Sequence, residues 1–589
     1  MNLFAAGMLV SIVVYLVVGN YAGRKVKKLE DYFVAGRQAP TLLIVGTLVA
    51  SLMSTNAFMG ESGLSYSGFP AVIITLTAIN VIGYVAGGLY FGRFLRRSRA
   101  LTLAEYFGHR FDSRRVQQVA GITIVLGCTA YLVMVTQGTA TIVHEVTGLP
   151  YRGTLVMAWL GYTLFTLYSG SRGVVLTDTM MFLLFGAVAF VSLGFIVQSN
   201  GGWLETVQGL ATFVDKPDIV SWHGAVGLAA PWQTPGETLV YAVILGLAWG
   251  IVVAVSPWQA SRYLMARDEH TVIRSATITA GVVMLLYLVL MFAAASVNLA
   301  KPDIEPAQEV MVWAAMNLLP TLAGVLLMSG ILAAGLSSAS TFLSLVGFSV
   351  SNDILPRPQP DEDNGSGGAP DNPAEDAARL SSSRKAMLGI SLAALALAWA
   401  LPEGKLFWIT YFAGTLFASC WGPIAFMSVW SDRVTEAAAF WGIIAGLAGN
   451  LVTNAVALLG WADLPVYLDP ILVGALLSYL TIEVVLRRGR VTERERRRRL
   501  RLHQAPHEEI DAARLRRTLG WAVALIVFGL VMAGLMVSFY ALPYRQATGG
   551  PATGEFLMSL AVGGFLVLTG LLAWWGTRRS YGAKPVQES

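Results

Sequence analysis

The chain has 589 residues, 55% of them hydrophobic and 13% charged, with a mean hydropathy of +0.60, whereas soluble domains carry about a quarter charged residues. A water-soluble fold is excluded, and because apolar runs recur from Leu3 to Trp575 without a long polar interval, the length describes one all-α polytopic membrane unit. The net charge of +5 bears on topology before nucleic acid, and no nucleic-acid partner is expected.

Cys128 and Cys420 both lie in apolar runs, too few for a disulfide framework or a thiolate metal site. Apolar stretches long enough to cross a bilayer core of about 30 Å are expected at 3–22, 41–60, 68–92, 116–146, 153–170, 175–198, 236–258, 272–299, 321–348, 386–401, 405–430, 436–460, 467–486, 518–541 and 554–576, about fifteen in all. The first has no basic leader and is followed by Arg24 and Lys25, so it reads as a retained helix.

With the N-terminus outside, the alternate loops beginning with 23–40 hold every one of the 41 Lys and Arg except Arg152, Lys216, Lys301, Lys405 and Arg545. Such a bias predicts an N-out, C-in protein of the cell membrane. Two polar stretches fall on the cytoplasmic side. Residues 356–385 are rich in Pro, Gly, Asp and Ser and read as a disordered loop. Residues 487–517 carry 12 Lys and Arg and read mainly as an orientation signal against an anionic leaflet, with a lipid-facing helix or a regulatory contact as alternatives.

No Walker-type phosphate loop, HExxH pair or GxSxG elbow occurs, so no enzyme is expected, and channels, secondary carriers and receptors remain. Three features then carry the chemistry. Asp178, near the start of the sixth span, is either a helix-end carboxylate or a functional charge. Glu61, His144 and Glu145 stand at outer span ends and read as interfacial. In the ninth span, Ala334, Ser337, Ser338 and Thr341 follow the i, i+3, i+4, i+7 spacing of one helix face, suited to close packing or to oxygen ligation of a hard cation. In the second span, residues 49–60 (VASLMSTNAFMG) interrupt an apolar helix with small polar groups, as broken helices of carriers do and as a helix kinked for packing also would.

At these residues the chain resembles the sodium:solute symporter family. The resemblance runs in order through residues 31–37 (DYFVAGR), 50–60, 103–111 (LAEYFGHRF), 171–178 (SRGVVLTD), 259–263 (QASRY), 333–344 (AAGLSSASTFLS) and Asn352-Asp353, covering about 24–460. It implies two inverted five-helix repeats of the LeuT type, 41–198 and 236–430. The repeats would be preceded by an extra helix and loop in 1–40, joined by an extracellular loop at 199–235 and followed by further helices in 431–589.

The resemblance also implies a sodium site built from the carbonyls of Ala50, Met53 and Ala334 and the hydroxyls of Ser337 and Ser338, and a second site at Asp178, Ser340 and Thr341. The solute pocket it implies uses Ser54, Thr55, Asn56 and Phe58, then Thr75 and Asn80, then Ser256, Trp258 and Gln259, and finally Thr410 and Tyr411. Leu76 and Thr410 replace the Glu and Gln of the sugar carriers, which disfavours a sugar. A small carboxylate fits better, since no Lys or Arg is expected in the core while helix ends and hydroxyls can neutralise an anion beside sodium. Residues 131–183 resemble the pantothenate carriers, and monocarboxylates, pantothenate and neutral amino acids all stay open. The expected activity is sodium-coupled uptake of a small organic solute by alternating access, with sodium as coupling ion and no other cofactor. A proton-coupled carrier, a passive channel or a transporter-like sensor, which in this family carries kinase modules after its last spans, are the alternatives.

Overall fold

The computed structural model describes residues 3–23, 29–227, 230–355, 373–402, 406–462, 464–506 and 511–582. Among them the backbone is helical with no strand; a single bridge pairs Ala39 with Ala266. The principal helices are α1 (Leu3–Gly23), α2 (Thr41–Leu52), α3 (Asn56–Tyr66), α4 (Pro70–Ser98), α5 (Leu103–Phe111), α6 (Arg114–Thr147), α7 (Tyr151–Ser199), α8 (Pro235–Val255) and α9 (Pro257–Met265). They continue with α10 (Glu269–Ser296), α11 (Thr321–Ile354), α12 (Pro373–Ala400), α13 (Leu406–Trp430), α14 (Glu436–Leu458), α15 (Pro470–Leu486), α16 (Glu493–His503), α17 (Ala512–Thr548) and α18 (Thr553–Tyr581).

Helix starts follow from local sequence. The side chains of Thr102, Ser113, Thr234, Asp268 and Thr435 each accept from a backbone N–H in the first turn of the helix they precede, satisfying donors that have no intrahelical partner. Pro235 and Pro257 sit at first-turn positions, where a missing N–H costs nothing.

Ten described helices are long and apolar enough to cross a membrane, eleven with the bent pair α2–α3, and Leu3–Gly19 and Pro470–Leu486 are shorter apolar helices. The expected spans at 153–170 and 175–198 lie in one helical run, α7, of 49 residues. At 1.5 Å per residue that is about 74 Å, more than two bilayer cores. Its two portions contact different neighbours: Trp159 donates to Ser391 of α12, whereas Ser171 donates to the Phe33 carbonyl.

Burial sorts the helices. In α11, 89% of the most apolar stretch is inside the protein, against 28% in α17; α11 is the central post and α17 faces lipid. Part of the loop expected to be disordered is helical: residues 373–385 form the first turns of α12, and 356–372 lie outside the described residues. The helical departure follows from the alanines, Glu375, Arg379 and Leu380 of AEDAARL, which are strong helix formers.

The basic run also differs from a lipid-facing helix. Its central part is α16, opened by a capping box in which Thr492 and Glu495 satisfy each other's backbone N–H. Arg498 donates to the His109 carbonyl and pairs with Asp112 at 2.8 Å, Glu495 accepts from the Glu436 N–H at 2.8 Å, and His503 Nε2 lies 2.7 Å from the Val429 carbonyl oxygen. The helix therefore rests on the ends of α5, α13 and α14.

Candidate functional site

The site forms where α2 stops. Leu52 is its last residue, Met53 leaves helical geometry at φ −78°, ψ 78°, and α3 starts at Asn56, turned by 54°. No glycine or proline lies at the break. Ser54 stabilises it, its hydroxyl accepting from the Asn56 N–H at 3.1 Å. Packing fixes it: a Cβ on Gly335 of α11 would stand 2.9 Å from Thr55 Cγ2, and one on Gly138 of α6 would stand 2.9 Å from Thr55 Cβ. Only glycines admit Thr55 here. The first turns of α3 are π-helical, a geometry common at functional sites.

Ala50, Met53, Ala334, Ser337 and Ser338 are all buried. Ser338 Oγ is 3.5 Å from the Ala50 carbonyl oxygen, so α11 presents its hydroxyls to the broken end of α2. Ser337 Oγ makes no hydrogen bond within 3.5 Å. A buried hydroxyl, a neighbouring hydroxyl and a carbonyl at a helix end are oxygen donors of the kind a hard monovalent cation takes, and this set fits sodium.

Asp178 is not a helix-end residue. It is fully buried inside α7, where Thr47 of α2 donates to it at 2.5 Å and Arg262 of α9 lies 3.7 Å away. Arg262 also donates to Thr341. The expectation that no Lys or Arg enters the core is therefore wrong: Arg262 is 3% exposed, and burial of this charge is compensated by Asp178. The helix position explains it, since Arg262 lies four residues after the buried Trp258 on the same face of α9. Ser340 donates to the Ser337 carbonyl at 2.9 Å, within its own helix. A cavity of about 20 Å³, room for roughly one water, adjoins Ser261, Arg262, Thr341 and Ser344.

A second break separates α8 from α9. Ser256 is extended at φ −60°, ψ 147°, Pro257 opens α9, and Gln259 reaches back to the Leu48 carbonyl at 3.4 Å and Ser51 at 3.5 Å. The two breaks thus touch. Trp258 is enclosed by Tyr131, Phe342 and Phe417, with ring centroids 5.3, 5.5 and 5.3 Å away. Phe58 packs edge-on against Phe185, and Asn80 is buried with Oδ1 unbonded.

Other expected pocket positions point elsewhere. Thr75 is only half-buried, Thr410 donates to the Leu406 carbonyl at 3.0 Å in its own helix, and the Tyr411 hydroxyl donates to Asp469 ahead of α15. Glu61 is not interfacial but 8% exposed, beside Asn56 and Tyr287. The sequence reading missed Thr47, Ser51 and Arg262. Thr47 and Ser51, one helical turn apart on α2, could have been found from that spacing.

Two broken helices whose ends meet in the middle of a multi-span bundle, with buried oxygens converging from a third, define a secondary carrier. The sodium:solute symporter family model matches residues 32–446, and the chain belongs to that family. It is 26% identical to the sodium/pantothenate symporter of Escherichia coli (strain K12) over 82% of this chain and 96% of that protein, and 25% identical to the sodium/proline symporter of the same strain over 77% and 89%. Its fold matches that of a substrate-bound, outward-open Na+-coupled sialic acid symporter, with a TM-score of 0.66 at 18% identity over 84% of this chain and 99% of that one. The nucleobase-cation-symport-1 family transporter Mhp1 in a closed conformation follows at a TM-score of 0.53 and 12% identity, over 80% and 98%.

Proposed function

We propose that the protein couples inward sodium movement to uptake of a small carboxylate or amino-acid-like solute by alternating access. The observation that carries this reading is the approach of Ser338 on α11 to the Ala50 carbonyl at the break of α2. An ion held by Ala50, Met53, Ala334, Ser337 and Ser338 ties α2 to α11, and these lie in the proposed repeats 41–198 and 236–430 respectively. The ion therefore favours the arrangement in which both helices are in place.

Ser54, Thr55, Asn56 and Phe58 continue directly from that break, with Asn80, Ser256, Trp258 and Gln259 nearby, so solute bound there reads the same geometry. Each ligand then raises the affinity for the other equally. With the N-terminus outside and the C-terminus inside, one charge moving through 100 mV contributes about 2.3 kcal/mol, or roughly fiftyfold accumulation of a neutral solute. The pantothenate and proline symporters among its relatives support a carboxylate-bearing solute. Arg262 does not compete for that carboxylate, because its charge is balanced by Asp178.

A second sodium at Asp178, Ser340 and Thr341 requires Arg262 to release Asp178 and Thr341, so we propose transport with one ion unless that pair opens. Thermal stabilisation by small carboxylates, amino acids and sugars, each in sodium and in potassium, tests the reading. One solute stabilising only in sodium, with the effect lost in Ser338→Ala, is expected; stabilisation indifferent to sodium would overturn it.

A further inference from the structure

On the arginine-rich face a cavity of about 570 Å³ opens between α4, α13 and α18, lined by Tyr90, Arg93, Trp430, Trp575, Arg579 and Ser580. Its construction is specific. Residues 88–92 of α4 are π-helical, and Arg93 follows immediately. The last helix comes close there: a Cβ on Gly576 would stand 2.6 Å from Leu89 Cδ1. Trp430 Nε1 donates to the Tyr90 carbonyl at 2.8 Å, joining α13 to α4.

Arg93 is the unusual member. It is 6% exposed, its Nε makes no hydrogen bond, and it forms no ion pair with any described carboxylate. Its contacts are the rings of Phe94 and Tyr581, 4.7 and 5.6 Å from the guanidinium carbon. The nearby Arg97 shows what a compensated arginine looks like, since Glu269 pairs with it at 2.5 Å. A buried, uncompensated guanidinium is costly and calls for an anion. Arg579, stacked on Trp575, brings a second positive charge to the same cavity.

We propose that this cavity binds the phosphate headgroup of an anionic glycerophospholipid from the leaflet on the arginine-rich face, with Arg93 and Arg579 holding the phosphate. A lipid suits the mouth better than a free ion. Trp430 and Trp575 are 46% and 50% exposed, and such amphipathic rings sit at headgroup level with acyl chains alongside. The wall joins Tyr90, Arg93 and Trp430, within residues 32–446, to Trp575, Arg579 and Ser580 of α18, beyond them, so the cavity is completed by the part of the chain outside the family match.

The purified protein in mixed micelles is titrated with phosphatidylglycerol, with phosphatidylcholine of identical chains, and with inorganic phosphate, reading retained lipid by native mass spectrometry and the shift in Tm. Phosphatidylglycerol is expected to be retained at least about fivefold more tightly than phosphatidylcholine, and Arg93→Gln and Arg579→Gln each to weaken it about fivefold. Arg516→Gln, an exposed basic residue of α17, should leave retention unchanged. If Arg93→Gln does not fold, the exposed Arg579→Gln decides alone. Equal retention of both lipids, or unchanged retention in Arg579→Gln, overturns the proposal; inorganic phosphate matching the Tm shift of phosphatidylglycerol overturns the lipid as occupant.

Discussion

The two helix breaks that meet at the site are made differently. Between α8 and α9 the interruption is written locally: Ser256 is extended, Pro257 starts the next helix without needing an N–H, and the pair remains straight enough to pass as one span, 235–265. Between α2 and α3 nothing local demands a break, yet the bend is larger, 54°. There Thr55 is seated between Gly335 and Gly138, and neighbouring helices hold the chain out of helical geometry. Local chemistry sets one break and tertiary packing the other, so a conformational change in the bundle acts more directly on α2–α3.

The aromatic packing of the second break carries the largest expected effect. Trp258→Ala removes the buried ring between Tyr131, Phe342 and Phe417, and is expected to cost about 3–5 kcal/mol in unfolding measurements. Next comes Gly335→Val, whose Cβ would meet Thr55 and Thr139 at 2.9 and 2.8 Å. It should cost about 1–3 kcal/mol and remove sodium-dependent uptake, while a variant with full uptake would show that the first break does not depend on this close approach. Ser54→Ala removes a single cap at that break and should lower stability by about 1 kcal/mol, read as a small drop in Tm.

Smallest of the substitutions is Pro257→Ala, expected to change stability by less than about 1 kcal/mol with uptake retained, since Ser256 and the Trp258 packing keep the second break. Loss of uptake in this variant would make proline itself the determinant. The N-cap of α10, just beyond α9, supplies a pH test. Burial raises the pKa of Asp268, but hydrogen bonds from Thr271 and the charges of Arg274 and Arg514 outweigh it and hold the carboxyl below its usual range. A depressed folded pKa gives stability that is present above about pH 3.9, the unfolded value, and lost as the pH falls through the folded one. Asp268→Asn should therefore lower stability most at neutral pH and least below the folded pKa, which flattens the acid limb of a stability–pH profile; an equal loss at every pH would show that the charge of Asp268 does not matter.

Where sequence reading succeeded, the signal was periodic or local. The hydroxyl face of α11 and the interrupted α2 were both visible, and both reach the site. What it missed depended on partners far along the chain. Arg262 looks like an ordinary polar residue after a buried tryptophan until Asp178, 84 positions earlier, is seen beside it. Tyr411 similarly turns to Asp469, and Glu61 is enclosed by helices the local pattern does not name. The basic run 487–517 was read by charge alone, and charge does not reveal that Thr492 and Glu495 form a capping box.

That basic helix also carries a consequence for how the chain is made. The segments α16 joins, the end of α5 and those of α13 and α14, are all synthesised before it, and chains emerge N-terminus first. The clasp among them can close only after His503 has left the ribosome, by which point both broken spans have already been synthesised. Until then this face of the bundle has no latch, whatever the spans have done.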